Sequence, residues 1–405
     1  MRVLLVPSSF HGAEGVIARY IAGNCKGIDV FLFKASDLEA RRSEFLKLVT
    51  QVDVIHWIMN LCNIPGLENL DWSELPCASV ASIHHIMPGE NQKINFAQKA
   101  NLIHVDSDPW MKVVLSQVST PVSKVLGGVD YPRFSVLQNM KTPGKVFKFG
   151  IFGILRGRKR VGFFRDALVL MKSKNYQVIF QGEGWEKEKK IFEDSGINVQ
   201  ILGYKPFSES WKAYGKIDCY VCSSDIEGGP LGILEALSSG VPVVSTNVGL
   251  ASEVLSRGGG IVTDINDLSG FSQALERMMT DRDYYLKCSK EGIDIGKHYF
   301  QTIADDYYRM YSRAIDIRRD NGFERQNFKK EDDGVFKNQR MNELTKDLVS
   351  ESLIFFKKGD FFTGLFLWLK SFFSFRLNFY WLIKRLKFGC GEFVRRNILM
   401  KEPRA

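Results

Sequence analysis

The chain has 405 residues, with 55 Lys and Arg against 46 Asp and Glu, so its formal net charge is +9. Residues 346–405 hold 12 basic and five acidic side chains, a net charge of +7, and the rest of the chain is almost neutral. The positive total therefore does not predict a nucleic-acid partner for the main body. The length predicts two domains of roughly 100–200 residues each and an appendage.

Short apolar runs alternate with amphipathic stretches from residue 1 to about residue 290. This alternation is typical of buried parallel strands joined by helices. The runs form two successive sets, which predict an α/β protein with two doubly wound, Rossmann-like domains facing a cleft. The predicted strands are Arg2–Pro7, Val52–Trp57, Ala78–Ile83 and Leu102–Val105, then Val146–Phe152, Gln177–Phe180, Val199–Leu202, Ile217–Cys222, Pro242–Ser245 and Gly260–Val262.

Composition changes along the chain divide it into five parts. A polar stretch with Pro-Gly separates a first domain, residues 1–142, from a second, residues 143–298. Apolar residues at helical spacing over 299–315 predict a closing helix packed on the body. Mixed charges over 316–345 predict a polar linker. The remaining residues, 346–405, predict a basic, aromatic, amphipathic helical tail.

The seven cysteines are scattered and odd in number, which argues against a disulfide framework. Cys219 and Cys222 have the spacing of a metal half-site, but they lie in an apolar run without a second pair, so we expect a buried strand and no metal there. The N-terminus lacks the pattern of a signal peptide. No run approaches the ~18 apolar residues of a membrane-spanning helix. These features predict a cytoplasmic protein.

The segment 217–245 carries the clearest chemical signal. A buried strand is followed by a polar loop in which Gly228 and Gly229 open the backbone. Pro230 suits the first position of a helix that continues through Leu231 and stops at Gly240. A glycine-rich loop entering a helix presents unpaired N–H groups, which form a natural seat for a diphosphate.

Two carboxylates flank this seat. Glu227 lies on the loop and Glu235 lies eight residues further on, so one can face a sugar while the other reaches a ribose. The Glu-x7-Glu spacing, the Gly-Gly-Pro-Leu interior and the exit over residues 239–244 (SGVPVV) resemble the retaining GT-B glycosyltransferases of family 4. The resemblance implies that Glu227 is catalytic and orients the sugar hydroxyls. It also implies that Glu235 and the residues of the seat, Gly228, Gly229, Pro230 and Leu231, bind the donor, a sugar nucleotide.

The segment 156–160 places four cations within five positions. Fixed cations stabilise the charge that a leaving nucleoside diphosphate gains as the glycosidic bond breaks. The loop resembles the one in which an Arg and a Lys of the family neutralise the diphosphate. The resemblance favours Arg156 and Lys159, with Arg158 as the alternative, and a solvated basic loop is the non-functional interpretation.

Two loops of the first half also resemble family features. Pro7–Gly15 is similar to the glycine loop that approaches the donor phosphates, which places Gly12 at the donor. His84 and His85 follow a predicted strand, as does the family histidine near the transferred sugar. Because successive side chains of a strand face opposite ways, only one is expected in the cleft. The pattern favours a catalytic His84 with His85 as the alternative, and a structural histidine is also consistent with it.

The resemblance implies a hexosyltransferase that moves a sugar from a nucleoside diphosphate sugar to an acceptor hydroxyl with retention. The acceptor would be a glycan or a lipid-linked glycan of cell-surface polysaccharide, lipopolysaccharide or O-antigen assembly. Neither a cofactor nor a metal is expected, because cations would replace the metal. The alternatives are a catalytically silent GT-B scaffold and a sugar-nucleotide epimerase.

The tail predicts a second kind of contact. Its segment from Asp360 to Phe388 has a polar sector on a helical wheel and aromatic or aliphatic residues elsewhere. A basic, aromatic amphipathic segment suits an anionic membrane surface. This interpretation places the protein peripherally on the cytoplasmic face of a membrane. Packing of the tail on the body or on a partner protein is the alternative.

Overall fold

The computed structural model describes residues 1–322 except 11, 59–63, 65 and 139–142, together with residue 364. The described residues up to 322 belong to one compact unit, the larger of the two into which the chain divides. The predicted tail, apart from Gly364, and the predicted linker beyond residue 322 lie outside the described residues. Within the part of the chain that is described, no helix combines the length and apolar character needed to span a bilayer.

The first half of the larger unit is built on a six-stranded, entirely parallel sheet with strand order β2-β1-β3-β4-β5-β6. Its strands are β1 (Arg2–Leu5), β2 (Asp29–Leu32), β3 (Val54–Trp57), β4 (Ala78–Ile83), β5 (Leu102–Val105) and β6 (Val122–Lys124). Its helices are α1 (Ala13–Asn24), α2 (Arg42–Val49), α3 (Gln92–Ala97), α4 (Asp108–Leu115) and α5 (Tyr131–Ser135).

The second half repeats this plan with strand order β12-β11-β10-β7-β8-β9, again all parallel. Its strands are β7 (Phe147–Phe152), β8 (Tyr176–Gln181), β9 (Val199–Ile201), β10 (Cys219–Cys222), β11 (Val243–Thr246) and β12 (Gly260–Thr263). Its helices are α6 (Val161–Leu170), α7 (Glu186–Asp194), α8 (Phe207–Ser210), α9 (Leu231–Ser238), α10 (Ala251–Leu255) and α11 (Leu268–Thr280), and α12 (Arg282–Asp320) follows.

Two doubly wound sheets confirm the predicted fold class. The central strands are buried along their whole length, as in β1, where Val3, Leu4 and Leu5 have no exposed surface. Helices cover both faces of such a sheet, so its strands are apolar on both sides and stand out in the sequence. The two strands that the sequence analysis missed, β2 and β6, are the edges of the first sheet. β6 is short and half-buried with two polar residues, so its apolar signal is weak, whereas β2 is a buried apolar run that was not singled out.

The predicted closing helix, residues 299–315, is part of the longer helix α12. This helix packs on α9 and α11 of the second half and then on β3 and β4 of the first. The first residues of the predicted linker, 316–320, are helical as well. Arg313 and Arg318 explain this extension, because Arg313 donates to the carbonyl of Val122 at 3.0 Å and Arg318 to that of Ser73 at 2.7 Å. The predicted domain boundary at residue 142 lies within the stretch 139–142, which is outside the described residues.

Cys219 and Cys222 lie in β10, and both are buried and free. The prediction of a buried strand is therefore confirmed for this pair. Burial raises the pKa of both thiols, so the neutral form is favoured. Neither sulfur is placed for thiolate chemistry.

Candidate functional site

The loop after β10 presents Glu227 at the carboxyl edge of the second sheet. Its carboxylate forms an ion pair with the guanidinium of Arg158 and accepts a hydrogen bond from the hydroxyl of Ser224 at 2.9 Å. The side chain of Glu227 is 11% exposed and that of Arg158 is 20% exposed. The pair is largely shielded from bulk water but still accessible to a ligand. Its two partners, Arg158 and Ser224, fix the direction of the carboxylate.

The segment 156–160 lies beside this loop, and the two are joined through their backbones. The amide of Asp225 donates to the carbonyl of Arg158 at 3.0 Å, and the hydroxyl of Ser223 donates to the carbonyl of Lys159 at 2.7 Å. The guanidinium of Arg158 also donates to the carbonyl of Ile226 at 3.2 Å. Arg158 thus holds the Glu227 loop through its side chain and its backbone, a role that the sequence did not predict.

The other cations of this segment have separate surroundings. The ammonium of Lys159 donates to the carbonyl of Phe152 at 3.0 Å, at the end of β7. Arg156 is exposed, and its guanidinium lies 3.4 Å from the carbonyl of Leu155. Both cations follow the carboxyl end of β7. Their contact with a diphosphate stays a prediction.

Arg160 is the exception among the four cations. Its backbone adopts φ 46° and ψ 48°, a left-handed conformation that is costly for a residue with a side chain. Its guanidinium donates to the carbonyl of Ile265 at 2.5 Å and lies 4.3 Å from the ring centre of Phe163. These contacts hold the turn before α6, which indicates a structural role.

Gly228 and Gly229 pack directly against the first half of the protein. A β-carbon on Gly228 would collide with the carbonyl oxygen of His84, and one on Gly229 would lie 2.8 Å from the β-carbon of Asp106. The glycines are therefore required by a close approach between the two halves, a reason that the sequence did not reveal. Pro230 caps α9 and Leu231 is its first residue, so the helix begins one residue later than predicted.

His84 follows β4 and pairs with Asp106, which follows β5. The imidazole Nδ1–H donates to the carboxylate at 2.6 Å, and Nε2 is buried without a hydrogen-bond partner among the described residues. Burial by itself would lower the pKa of His84. The charge of Asp106 and its hydrogen bond outweigh that effect, with help from Glu14, so the pKa is raised. His84 can hold a proton at Nε2, and its backbone carbonyl lies against Gly228 of the second half.

His85 is half-buried and lies close enough to Arg158 and Glu227 to be affected by their charges. Burial lowers the pKa of His85 to about 4, and the positive charge of Arg158 adds to the effect. Because β4 ends at Ile83, the alternation of a strand does not apply to this pair. Both histidines can border the cleft, and the choice between them stays open.

Behind His84, a buried chain of hydrogen bonds links the sheet to α12. His104 Nε2 contacts the carbonyl of Val125 at 2.8 Å, so this nitrogen must donate. Its Nδ1 then accepts from the hydroxyl of Ser82 at 2.8 Å, and Ser82 accepts from His56 Nε2–H at 2.9 Å. His56 Nδ1 in turn accepts from the hydroxyl of Tyr311 at 2.8 Å.

Every donor in this chain points the same way, which requires both histidines to be neutral. Burial lowers the pKa of His56 and of His104, in agreement with this arrangement. The first half thus holds two neutral imidazoles in its core and one, His84, that favours the proton. His56 thus has a structural role, because both of its ring nitrogens are used within the core.

Glu235 lies in α9 and accepts a hydrogen bond from the hydroxyl of Tyr214 at 2.6 Å. Burial raises the pKa of Glu235, although the hydrogen bond and the charge of Arg133 oppose the shift. The ring of Tyr214 packs against Phe152 with ring centres 4.9 Å apart. Glu235 is thus fixed in the second half, and its contact with a ribose stays a prediction.

The loop before α1 carries the predicted donor residue Gly12. Gly12 caps α1, and among the described residues nothing lies within 4 Å of the position that its β-carbon would take. The close approach occurs instead at Gly15, where a β-carbon would collide with the carbonyl of Phe10. Glu14 accepts from the amide of Ser8 at 2.8 Å and also from its hydroxyl. The Glu14 carboxylate thus accepts both hydrogen-bond donors of Ser8 in this loop.

Asp106 and Tyr214 are candidate site residues that the sequence analysis missed. Asp106 directly follows a predicted strand, so the signal that selected His84 could also have found it. Tyr214 carries no comparable signal, because it lies in a short helical stretch far from α9 in sequence. In the described ranges, no three His, Cys, Asp or Glu side chains are arranged to hold a metal ion.

Residues 138–294 match the family model described as "Glycosyl transferases group 1". This segment contains Arg156, Lys159, Glu227 and Glu235. It covers the second sheet and the helices that pack on it, and it ends within α12. The match thus extends over the half of the larger unit that carries the Glu-x7-Glu motif.

Curated relatives match a similar share of the chain. The lipopolysaccharide core biosynthesis mannosyltransferase LpsB of Rhizobium meliloti is 26% identical over 200 residues, which are 44% of this chain and 56% of that protein. The O-antigen chain mannosyltransferase B of Escherichia coli is 29% identical over 155 residues, which are 36% of this chain and 40% of that protein. The chain thus spans about half the length of these relatives.

Solved structures match over both halves. Anabaena Alr3699/HepE, crystallised with UDP and glucose, has a TM-score of 0.61 and 17% identity; the match covers 77% of this chain and all of that chain. The chain has the GT-B fold, so the predicted fold class is confirmed.

Proposed function

We propose that this protein transfers a sugar from a nucleoside diphosphate sugar to an acceptor hydroxyl with retention at the anomeric carbon, as a family 4 enzyme. The observation that carries the proposal is the placement of Glu227. Its carboxylate is oriented by Arg158 and Ser224, and the glycines after it press against His84 and Asp106. Two GT-B halves thus meet around one oriented carboxylate and one imidazole.

In this proposal, Glu227 accepts hydrogen bonds from hydroxyls of the transferred sugar. Arg156 and Lys159 stabilise the diphosphate as it gains charge, together with the first N–H groups of α9, and Gly12 faces the phosphates from the other side. Glu235, held by Tyr214, binds the ribose. His84 donates a proton or a hydrogen bond from Nε2 to the sugar or to the departing oxygen.

Retention follows if the acceptor attacks from the face that the diphosphate leaves. The carboxylates nearest the glycine contact are engaged, Glu227 with Arg158 and Asp106 with His84. Neither is presented as an unpaired nucleophile, which favours front-face attack over a covalent intermediate. We expect no divalent metal to be needed, because the cations of 156–160 supply the charge. Turnover should therefore persist in excess EDTA.

The relatives support a role in the assembly of a cell-surface glycan. By name, they act in lipopolysaccharide core and O-antigen synthesis and transfer mannose. We propose a hexose as the transferred sugar and a glycan or lipid-linked glycan as the acceptor. The enzyme would work in the cytoplasm at the membrane surface, with residues 346–405 contacting anionic lipid or a partner protein.

A donor screen tests the proposal. Thermal-shift measurements with uridine, guanosine and adenosine diphosphates identify the base, and hydrolysis of the matching sugar nucleotides identifies the sugar. Glu227→Gln keeps a hydrogen-bonding group beside Arg158 and should lower turnover by about a hundredfold or more while the diphosphate still binds. Full turnover by this variant would sink the assignment of Glu227.

The same screen separates the alternatives. A catalytically silent scaffold would hydrolyse no sugar nucleotide and would transfer no sugar. An epimerase would convert the donor sugar into its epimer while the diphosphate stays attached. A retaining transferase gives a product whose anomeric configuration, read by NMR, equals that of the donor.

A further inference from the structure

Trp110 connects the first half of the protein to the Glu227 loop. Its indole N–H donates to the backbone carbonyl of Glu227 at 2.8 Å, although the two residues are 117 positions apart in sequence. The indole nitrogen can only donate and the carbonyl can only accept, so the direction of the bond is fixed. The side chain of Trp110 is half-buried at the contact between the two halves.

A short segment of the first half carries this contact. Asp106 follows β5, α4 begins at Asp108, and Pro109 fixes the start of the helix. The same turn that places Asp106 against Gly229 places Trp110 against Glu227. Two residues of this turn therefore contact the Glu227 loop at its carboxylate-bearing residue and at the glycines that follow.

The backbone and the side chain of Glu227 are held from different halves. Arg158 and Ser224, from the second half, fix the carboxylate, whereas Trp110, from the first half, fixes the peptide. We propose that Trp110 is a positioning residue that makes the placement of the Glu227 carboxylate depend on contact between the two halves. The inference rests on the proposed function of Glu227 and adds a residue that carries no charge and lies outside the motif.

The physical reason is that the carbonyl group and the side chain of Glu227 are attached to the same Cα. When the carbonyl loses the indole donor, the backbone at this residue is less restrained, and any shift of the Cα displaces the carboxylate. A displacement of about 1 Å at a reacting group can lower a rate by about a hundredfold. Trp110→Phe removes the N–H and replaces the bicyclic indole by a smaller single ring, so a kinetic loss is assigned to the hydrogen bond only where the variant keeps the wild-type thermal stability.

Lys124 supplies a matched control at the same contact. Its ammonium donates to Glu253 of the second half at 2.8 Å and also pairs with Asp108 at 2.9 Å. Lys124→Met thus breaks a charged link between the halves, and none of these partners belongs to the Glu227 loop. A general weakening of the contact would affect both variants, whereas a positioning role affects Trp110→Phe alone.

The kinetic test is a double-mutant cycle with the donor found in the screen. We expect Trp110→Phe to lower kcat by roughly ten- to hundredfold, with the donor KM changed less than about twofold, and Lys124→Met to stay near wild type. In the Glu227→Gln background, Trp110→Phe should cost little more, because no carboxylate is left to misplace. An equal loss in both backgrounds, or a change confined to KM, overturns the inference.

A second readout does not depend on turnover. Hydrogen exchange of peptides covering 223–231 should be faster in Trp110→Phe than in wild type and unchanged in Lys124→Met, at equal thermal stability. If the wild type turns over no sugar nucleotide, the proposed function fails and this exchange still tests the contact. Unchanged exchange in Trp110→Phe overturns the positioning role.

Discussion

The carboxyl edges of the two sheets share a topology and differ in polar chemistry. At the first edge, polar side chains are deeply buried, and His56, Ser82 and His104 form one directed chain of hydrogen bonds. At the second edge, Arg158 and Glu227 carry opposite charges and keep part of their surface exposed. The core of the first edge is held together by neutral groups, whereas an ion pair holds the Glu227 loop at the second edge.

Burial explains this difference. A charge in the core must be paired, or it is neutralised by a shift of its pKa, whereas a charge at the rim of a cleft keeps some hydration. His84 lies between the neutral core of the first edge and the charged loop of the second. Asp106 supplies a negative charge that favours the protonated form of His84. The first half thus contributes shape and one imidazole, and the second contributes a basic segment beside an oriented carboxylate.

Removing the cation of the second edge should have the largest effect. Arg158→Met leaves Glu227 without its counter-ion and frees the carboxylate to turn. We expect kcat for donor hydrolysis to fall about a hundredfold or more. Arg165→Met is the matched control, because Arg165 pairs with Asp166 on α6, away from the loop. Equal kinetics for the two variants would contradict the role of the ion pair.

Asp106→Asn tests the His84–Asp106 pair, which lies where the two edges meet. The change keeps the side-chain shape that packs against Gly229 and removes the charge that raises the pKa of His84. The pKa of His84 should fall, so the histidine limb of the pH–rate profile moves to lower pH. Turnover should drop about tenfold or more.

Histidine NMR should show the same direction of shift in Asp106→Asn. The exposed Asp108 provides the comparison, since it pairs with Lys124 and does not contact His84. Asp108→Asn should leave the profile in place. A profile that moves equally in both variants would show a general charge effect instead of a specific pair.

Tyr214→Phe should produce a smaller change at the second edge. It removes one hydrogen bond to Glu235, which is worth about 1 kcal/mol on average. The donor KM should rise about fivefold, with kcat nearly constant, because the ribose is bound equally in the ground and transition states. Tyr308→Phe, at a side chain that is 45% exposed, is the control. A loss confined to kcat would remove Glu235 from donor binding.

The smallest expected effect concerns the neutral core of the first edge. Because burial lowers the folded-state pKa of His56, the unfolded chain takes up a proton first as the pH falls below about 6.5. Stability is therefore lost on acidification, by at most about 1.4 kcal/mol per pH unit for this group. His56→Gln should reduce the slope of unfolding free energy between pH 7 and pH 5, measured by urea denaturation.

Tyr311→Phe separates titration from packing at the same place. It removes the hydroxyl that donates to His56 and leaves both core histidines in position. We expect it to cost about 1 kcal/mol at each pH and to keep the wild-type slope. A slope that falls as much as in His56→Gln would mean that the histidine is not the titrating group.

The fold was predictable because buried parallel strands are apolar on both sides. Runs such as Ala78–Ile83 and Leu102–Val105 coincide with β4 and β5. The edge strand Val122–Lys124 was missed because two of its three residues are polar and half-buried, whereas Asp29–Leu32 is a buried apolar run that was not singled out. Helix α12 was predicted in part, since its link to the first half depends on arginines that bond distant carbonyls.

The sequence by itself determined the α/β class, the two sheets and the loop that carries Glu227, because these depend on local apolar runs and on one contiguous motif. Only the tertiary structure decided that Arg158 orients Glu227, that Asp106 pairs with His84 and that Trp110 holds the Glu227 peptide. Those partners are far apart in the chain. They come together because the carboxyl ends of parallel strands share one edge and two such edges meet.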